Sequence, residues 1–469
     1  MRTYPQSISR SLGAALAMLL AGACDTKVTN PGLTPDADLD KPGSWPAIVV
    51  GARRALSDAI GSSSLTGGQL LYWGAAVSFE INPAGSTGSY GIPTDVQAGL
   101  PQDATMNADW TSSNLARYTP EAAVARFRRV MPDTLFSKSL LVAQAYLYAG
   151  YANRLLGENF CQSVIPVEVP DPLHYVLAPG NLGSHTLYFL RADTAFTNAI
   201  ATFTASGDTT SQTANFLLDA HAGRASVRAD LASWGLGLWS DATADAAFIT
   251  NNAFVFQVPY SSAAPDQYNY LYWARANQSF RAHTEWGTFY EDYYRQTRDS
   301  RVKWDTTTKS DTLGDAAVAK FGGRVPFWPE AKYTKTSDPV RLSSGWEMRL
   351  IEAEAALVAG DAPTAINKMN LRRTNLGQPL YSTAIAVDSA WSLLKLERAL
   401  ELWLEARRLG DLRRWITNGV PGAYTDGTYR VSHPGTFSST PIETMTSPVQ
   451  RALCFPVGRN ERETNPNVP

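Results

Sequence analysis

The chain of 469 residues is poor in the residues that metal sites and nucleic-acid surfaces need. It contains 3 cysteines and 5 histidines, and no histidine lies at ligand spacing from a cysteine, so the sequence predicts no metal site. Charged residues make up only 18% of the chain, and the net charge is −2. This balance argues against a nucleic-acid-binding protein, because such a protein needs a basic surface.

Sequence signatures of catalysis are also missing. The chain has no HExxH motif, no GxSxG motif and no glycine-rich loop of the kind that cradles phosphate. Carboxylates are plentiful and a glycosidase needs only two of them, but no spacing singles out such a pair. We therefore expect a binding protein that has no catalytic residues and no cofactor, and a glycan hydrolase is the disfavoured alternative.

Long apolar runs are absent after the N-terminus. The one run near the start, Leu12–Leu20, follows two arginines and is too short to span a bilayer. Small residues then precede Cys24, as they do at a bacterial lipoprotein cleavage site. We expect residues 1–23 to be a signal peptide, Cys24 to carry a lipid anchor and residues 24–44 to form a polar tether. An ordinary secretory cleavage, with Cys24 unmodified, is the alternative.

The two remaining cysteines, Cys161 and Cys454, lie far apart in the sequence. In an exported protein an even pair of cysteines permits a disulfide bond. Each cysteine also lies beside apolar residues. The sequence therefore leaves two alternatives open, a Cys161–Cys454 disulfide and two buried free thiols.

Helical periodicity is clearest between residues 346 and 415. Leu350, Ile351 and Leu357 recur at helical spacing, and Gly360-Asp361 suits the end of one helix and the N-cap of the next. Short antiparallel pairs of this kind are the unit of a helical-repeat array. A single longer helix is predicted to follow, over residues 388–415.

Further helical patterns precede this region. They predict a first helix from Trp45 to about Ile60, which is followed by two helix pairs. The predicted pairs are Ser137–Leu156 with His185–Phe203, and Phe216–Trp239 with Asp241–Ile249.

Three glutamates in the longer helix share one face, because Glu397, Glu401 and Glu405 recur at a spacing of four. They could form a carboxylate site, or they could form ion pairs that dock the helix against its neighbours. We favour ion pairs, because cations are close in the sequence. The nearby cations are Arg398, Arg408, Arg413 and Arg414.

Three separated motifs resemble the SusD/RagB family of outer-membrane lipoproteins, which capture nutrients for TonB-dependent importers. The motifs are EMRLIEAEAAL…GD…AINKMNLRR, ERALELWLEARRLGDLRRW and CFPVGRNERETNP. The family's C-terminal signature falls on Glu397, Arg398, Glu401, Leu402, Glu405, Arg408, Asp411, Leu412, Arg413, Arg414 and Trp415, and its closing element falls on Glu463, Asn465 and Pro466.

The resemblance implies an all-α-dominated fold, a SusD-like α-superhelix built on tetratricopeptide-like helix pairs with long inserted loops. We expect one domain over residues 45–469, with inserted loop regions at about 61–120, 158–184 and 251–344. The resemblance also implies a partner, a TonB-dependent SusC-like barrel in the outer membrane. The protein would be lipid-anchored to that membrane and would face the outside of the cell.

Aromatic residues crowd into residues 268–294 and fall into two groups. The first recurs at spacings of three and four and is predicted to be the buried face of a helix: Trp286, Phe289, Tyr290 and Tyr293. In the second group Tyr268, Tyr270 and Tyr272 alternate, which is typical of an extended segment with one exposed face. Such a face could stack on sugar rings, or it could pin the insertion to the helical core.

The favoured function is capture of a nutrient, with an oligosaccharide as the first choice of ligand and a peptide as the second. A helical-repeat scaffold that binds another envelope protein is the alternative from a different class. The predicted ligand-binding residues, chosen from the aromatic positions in the inserted regions, are Tyr90, Trp110, Tyr268, Tyr270 and Trp273.

Overall fold

The computed structural model describes residues 35–62, 68–85, 91–169, 176–276, 280–305, 313–318, 321–423 and 451–469. Cys24, Tyr90 and the predicted signal peptide lie outside these residues. The chain divides into two compact units, residues 1–44 and residues 45–469. The described part of the first unit contains a short helix, Asp36–Leu39.

Helices dominate the described residues, as predicted. In chain order they are α1 (Asp36–Leu39), α2 (Trp45–Gly61), α3 (Leu70–Val77), α4 (Thr94–Gln97), α5 (Asn107–Val130), α6 (Asp133–Phe136), α7 (Leu140–Asn159), α8 (Thr186–Ser206), α9 (Ser211–Ser233), α10 (Trp239–Phe248), α11 (Tyr270–Ala276), α12 (Phe289–Thr297), α13 (Gly345–Val358), α14 (Ala362–Asn375), α15 (Val387–Glu401), α16 (Arg408–Thr417) and α17 (Arg459–Thr464). None of the described helices combines the length and the apolar character that crossing a bilayer requires.

The strands are short and pair antiparallel, two to a sheet. They are β1 (Asn82–Pro83) with β5 (His283–Thr284), β2 (Gln162–Val169) with β3 (Val176–Ser184), and β4 (Val255–Val258) with β6 (Val340–Ser344). Two of these sheets join segments that are distant in the sequence. The β1–β5 pair joins the inserted region 251–344 to an earlier part of the chain, and the β4–β6 pair joins the two ends of that region.

The first predicted helix pair is confirmed, since α7 and α8 pack against each other. Glycine permits their close approach. A Cβ atom at Gly150 would lie 2.7 Å from the ring of Phe196, and one at Gly157 would lie 2.6 Å from the ring of Phe189. Both phenylalanine rings are buried. A larger side chain at either glycine would force the two helices apart.

The second and third predicted pairs are also confirmed, as α9 with α10 and α13 with α14. In the third pair α13 ends at Val358, and Gly360 has a φ of 79°. The side chain of Asp361 then accepts a hydrogen bond from the backbone N–H of Thr364 at 3.0 Å. The turn forms where predicted because glycine tolerates positive φ and aspartate caps a helix.

The single long helix predicted after the third pair is wrong, because the structure has two helices separated by residues 402–407. In this turn Leu404 and Ala406 have φ values of 55° and 58°. The N–H of Leu404 donates to the carboxylate of Glu80 at 2.8 Å, and its carbonyl accepts from the hydroxyl of Tyr333 at 2.8 Å. Hydrogen bonds to distant residues thus replace bonds within a helix, which local periodicity cannot reveal.

The favoured interpretation of the three glutamates is confirmed, because each forms ion pairs. Glu397 lies 2.8 Å from Arg373, and Glu401 lies 2.8 Å from Arg372. The partners, however, differ from those expected from proximity in sequence. They are Arg301, Lys332, Arg341, Arg372 and Arg373. The fold thus brings these cations to the glutamates from segments outside α15 and the turn that follows it.

Two regions predicted as inserted loops contain regular structure. Residues 61–120 include α3, α4 and the beginning of α5, while residues 158–184 include the β2–β3 hairpin. Polar residues made α5 resemble a loop. In the structure they bond to their own helix, as when Asn114 Nδ2 donates to the carbonyl of Trp110 at 3.0 Å. Side chains that satisfy the helix in this way are compatible with it, although the composition suggests a loop.

Cys161 and Cys454 are joined by a disulfide, with their Cα atoms 5.0 Å apart. Of the two alternatives left by the sequence, the structure therefore has the bonded one. Next to the disulfide the N–H of Cys161 donates to the carbonyl of Phe455 at 2.8 Å. The bond links the end of α7 to the C-terminal segment across 293 positions of the sequence.

Candidate ligand-binding surface

The alternating tyrosines Tyr268, Tyr270 and Tyr272 lie at the start of α11. Asn269 fixes this start, because its side-chain oxygen accepts from the N–H of Tyr272 at 3.3 Å and its amide donates to the carbonyl of Asp338 at 2.9 Å. The N–H of Asn269 also donates to the carbonyl of Thr336 at 2.7 Å. The prediction of an extended segment is therefore wrong from Tyr270 onward, since a capped helix begins there.

Tyr270 lies in the core and is only 1% exposed. Its ring packs against the rings of Tyr72, at 5.4 Å, and Trp273, at 5.5 Å. A ring buried to this degree has no free face for a sugar. The predicted ligand contact of Tyr270 is thus corrected to a packing role, in agreement with the alternative that these tyrosines pin the insertion to the core.

Four other rings between residues 268 and 280 remain partly exposed, namely Tyr268, Tyr272, Trp273 and Phe280. We call these four residues the aromatic surface. Within it the rings of Trp273 and Phe280 lie 5.1 Å apart at an interplanar angle of 33°. The structure therefore leaves the predicted residues Tyr268 and Trp273 accessible from solvent.

A buried hydrogen-bond network supports the packing behind the aromatic surface. The carboxylate of Asp109 accepts from the N–H of Gln69 at 2.6 Å and from the indole N–H of Trp73 at 3.0 Å. Burial raises the pKa of the Asp109 carboxyl to about 7, although these hydrogen bonds oppose the shift. Trp73 in turn packs against Tyr72 at 5.0 Å, and Tyr72 contacts Tyr270. The network thereby fixes the rings on which α11 rests.

Trp110 does not join the aromatic surface. It belongs to α5, is 3% exposed and meets the ring of Phe160 edge-on at 5.1 Å. Its indole N–H donates to the carboxylate of Glu461 at 3.3 Å. The predicted ligand contact of Trp110 is therefore corrected, because Phe160, which directly follows α7, and Glu461 in α17 cover the ring. Tyr90 lies outside the described residues.

The aromatic residues that recur at helical spacing are buried, as expected. Phe289, Tyr290 and Tyr293 lie in α12, and each is at most 1% exposed. Trp286 is also buried, but it precedes the helix and packs in a small separate cluster with Ala84 and Val325. The face predicted from the spacing therefore begins at Phe289.

Sequence reasoning missed another pair of partly exposed rings, Phe321 and Trp328. Trp328 stacks on Trp304 at 5.1 Å and 13°, and the guanidinium of Arg295 lies 5.3 Å from the Trp328 ring. Such stacking holds the indole in a fixed orientation. The segment FGGRVPFWPE, in which glycine and proline alternate with aromatic residues, is the signal that could have identified it.

Buried carboxylates lie beneath this region and are badly placed for catalysis. Glu285 and Glu330 are each 0% exposed. Burial raises the pKa of Glu285 well above its usual value, and the neighbouring carboxylate of Glu330 raises it further. A glycosidase must present both carboxyl groups to its substrate, and these two are closed off from solvent. The described residues include no group of three or more potential ligands that could hold a metal ion.

Comparisons with known proteins agree on one family. The sequence model of the SusD family matches residues 268–468, whereas no curated protein matches the chain. A solved SusD-like carbohydrate binding protein from Bacteroides vulgatus has a TM-score of 0.63 and 15% identity, covering 91% of this chain and 97% of its own. A SusD superfamily protein from Bacteroides thetaiotaomicron has a TM-score of 0.64 and 13% identity, covering 91% and 99%.

A third solved structure, described as a laminarin binding SusD-like protein, has a TM-score of 0.63 and 13% identity. It covers 91% of this chain and 98% of its own. At these identities the structures establish the shared fold, while the family's sequence model adds a match to the C-terminal residues that carry the three motifs. Residues 268–468 thus match the SusD family in sequence, and the chain shares its fold with the solved SusD-like proteins.

Proposed function

We propose that this protein captures an oligosaccharide at the aromatic surface and delivers it to a TonB-dependent SusC-like transporter. The observation that carries the proposal is the group of partly exposed rings Tyr268, Tyr272, Trp273 and Phe280. Aromatic faces pack against the C–H surfaces of sugar rings, and neighbouring polar groups bind the hydroxyls. Two proteins of the same fold are described as carbohydrate binding and as laminarin binding, which supports the proposed ligand class.

The ligand is held and released unchanged in this proposal. The buried position of Glu285 and Glu330 supports it, since neither carboxyl group is exposed to an incoming glycan. Incubating the protein with polysaccharides and analysing the products by chromatography tests this point. New reducing ends that increase with protein concentration would overturn it.

The proposed location is the outer face of the outer membrane, with the lipid on Cys24 as the anchor. A protein anchored there could lie on the extracellular side of a TonB-dependent barrel and pass ligand into it. Co-purification after mild cross-linking in the native host tests the partner. The expected result is recovery of a single SusC-like barrel in amounts comparable to the protein itself.

The binding site is tested with the variant Trp273→Ala and a matched control, Trp239→Ala. Both tryptophans are partly buried, but Trp239 begins α10, outside the aromatic surface. Titration calorimetry with neutral oligosaccharides should give saturable binding that Trp273→Ala weakens by about tenfold, in line with the loss of one ring contact. Trp239→Ala should bind as the wild type does. Equal affinities in all three proteins would place the site elsewhere.

The same titrations separate the glycan from the peptide alternative. A panel that contains β-glucan, α-glucan and xylan oligosaccharides together with short peptides should give binding in the glycan set only. If only peptides bind, and Trp273→Ala loses that binding, the proposed site is correct but its ligand is a peptide and not a glycan.

A scaffold function is the second candidate, and a groove on the helical part of the protein favours it. The groove has a volume of about 660 Å³ between α5, α7, α8 and β2. Leu187 and Leu190, which line it, are 42% and 44% exposed. Exposed apolar side chains in a groove are typical of protein contacts. The variant Leu190→Asp would abolish recovery of an envelope partner under this function and would leave oligosaccharide binding intact.

A further inference from the structure

A second cleft lies on the helical part of the protein, where α2, α9 and the segment 249–257 meet. Its volume is about 510 Å³, a size typical of small-molecule sites. We call it the helix-side cleft, and its lining shares no residue with the aromatic surface. It is lined by Arg53, Gln212, Asn215, Phe216, Leu218, Asp219, Ile249, Thr250, Asn251, Phe254, Val255, Phe256 and Gln257.

Two polar side chains of opposite charge face this cleft. Asp219 is only 6% exposed, yet no described residue forms a hydrogen bond to its carboxylate. The Nε atom of Arg53 is buried and likewise has no hydrogen-bond partner among the described residues. Buried polar groups in folded proteins are nearly always bonded, so these two groups require partners from solvent or from a ligand.

A hydrogen bond to its backbone carbonyl fixes the position of Asp219. The hydroxyl of Tyr151 donates to the carbonyl of Asp219 at 2.8 Å, and Tyr151 is itself buried against Phe256. Burial raises the pKa of the Asp219 carboxyl well above its usual value, and the positive charge of Arg53 opposes this shift. Asp219 and Arg53 both line the helix-side cleft, and within the described residues no ion pair joins their side chains.

The remaining lining suits a ligand that is both polar and flat. Four amide side chains at the rim are exposed, those of Gln212, Asn215, Asn251 and Gln257. The partly exposed ring of Phe216 also lines the cleft and is stacked on Phe203 at 5.7 Å and 9°. This stacking holds the ring of Phe216 in one orientation.

The guanidinium of Arg53, a donor, and the carboxyl of Asp219, an acceptor, restrict the chemistry of a ligand in this cleft. A phosphate would place its own acceptor oxygens against the acceptor oxygens of Asp219, and a simple cation would be repelled by Arg53. Neighbouring hydroxyls of one sugar ring avoid both problems, because a hydroxyl can donate to a carboxylate and also accept from a guanidinium. The rim amides could bond to further hydroxyls, and the Phe216 ring offers an apolar face to the ring's C–H groups.

We propose that the helix-side cleft is a second saccharide site, where hydroxyls of one neutral sugar ring bridge Asp219 and Arg53 beside Phe216. The ligand class rests on the proposed function of the protein, whereas the location is independent of the aromatic surface. Two sites on one protein would let it hold a long glycan at two points and so retain it more strongly than either site alone.

The test uses titration calorimetry of the mature protein with trisaccharides of glucose in β-1,3 and α-1,4 linkage and of xylose. The variants are Asp219→Asn, Phe216→Ala and Trp273→Ala. A matched control, Asp241→Asn, makes the same change at an exposed acid of the neighbouring helix α10. Thermal melts of each variant verify that it is folded.

The expected result is two binding events in the wild type and in Asp241→Asn. Asp219→Asn and Phe216→Ala should each weaken one event, by about tenfold or more for Asp219→Asn, which replaces a carboxyl oxygen with an amide nitrogen that cannot accept a hydrogen bond. Trp273→Ala should weaken the other. Loss of all saccharide binding in Trp273→Ala, with Asp219→Asn unchanged, would overturn this proposal and leave the proposed function intact. Loss of all saccharide binding in Asp219→Asn, with Trp273→Ala unchanged, would support the helix-side cleft and overturn the proposed site at the aromatic surface.

Free amino acids are the necessary counter-probe, because a zwitterion also carries both charges. Glycine and alanine should produce no heat that depends on Asp219. Their binding to the wild type but not to Asp219→Asn would overturn the saccharide assignment. Absence of binding by any trisaccharide would overturn both proposals together.

Discussion

The Nη1 atom of Arg301 lies 2.7 Å from the Oε2 atom of Glu397, although the two residues are 96 positions apart. Their side chains are 4% and 1% exposed. Arg301 follows α12 in the inserted region, while Glu397 belongs to α15. Because the aromatic surface lies in the same insertion, this ion pair helps to anchor the ligand-binding region to the C-terminal helices.

Removing one partner of this buried pair should be strongly destabilising. Arg301→Ala leaves Glu397 with one cation fewer and also removes the contact with Asp299 at 2.7 Å. The expected loss is about 3–5 kcal/mol in the free energy of unfolding, because the buried carboxylate of Asp299 loses its ion-pair partner. Urea unfolding followed by tryptophan fluorescence measures it.

The control for this prediction is Arg54→Ala. Arg54 pairs with Asp58 at 2.7 Å, but its side chain is 37% exposed, so the loss should stay below about 1 kcal/mol. Similar losses in the two variants would contradict the structural role assigned to Arg301.

The fully buried carboxyl of Glu285 should make stability fall as pH rises. Its pKa in the folded protein is raised well above the usual 4.5, so between these two values the folded state binds more protons than the unfolded state. Stability is then lost as pH rises from about 4.5 toward the raised pKa. Glu285→Gln removes this ionisation, and the variant should therefore be more stable than the wild type at pH 8 but not at pH 4.

Urea unfolding at several pH values measures this difference for Glu285→Gln. The exposed Glu463 offers a control, since Glu463→Gln should follow the wild-type pH profile. A Glu285→Gln variant that is less stable than the wild type at pH 8 would show that the ionised carboxylate is required in the fold.

The disulfide should contribute substantially to stability, because it links positions 293 residues apart. The double variant Cys161→Ser, Cys454→Ser should lose about 2–4 kcal/mol in the free energy of unfolding. Reductant should destabilise the wild type by a similar amount and leave the variant unchanged. Two titratable thiols in the denatured, non-reduced mature chain lacking Cys24 would contradict the bond.

The lipid anchor is tested by Cys24→Ser in the native host. The variant should lose incorporation of a labelled fatty acid and leave the membrane fraction, because an acyl chain is the proposed anchor. Cys161→Ser is the control and should still be labelled. A labelled Cys24→Ser protein, or a mature wild-type chain that begins at another residue, would exclude this anchor.

Local signals made the helix pairs predictable. Gly360 and Asp361 define the turn between α13 and α14 by properties of their own, positive φ and side-chain capping, and both act as the sequence predicts. The break after α15 could not be predicted in this way. There Leu404 bonds to Glu80 and Tyr333, and nothing within the helix indicates that these partners exist.

The ion pairs were likewise predictable in part: the sequence indicated that they form, but not which residues they join. The spacing of Glu397 and Glu401 on one face, with arginines nearby, indicated ion pairs and not a carboxylate site. Their actual partners could not be read from neighbours in the sequence. Arg398, for example, lies beside these glutamates in the sequence but pairs with Asp411 at 2.9 Å.

The sequence by itself determined the resemblance to the SusD/RagB family, the predominance of helices, the helix pairs and the region in which aromatic residues concentrate. These properties depend on motifs, periodicity and turn residues that lie close together in the chain. Only the tertiary structure decided which rings are accessible. Trp110 is covered by Phe160 and Glu461, whereas Trp273 stays partly exposed beside Phe280. A ring's exposure depends on which distant segments pack over it, and that is a property of the fold as a whole.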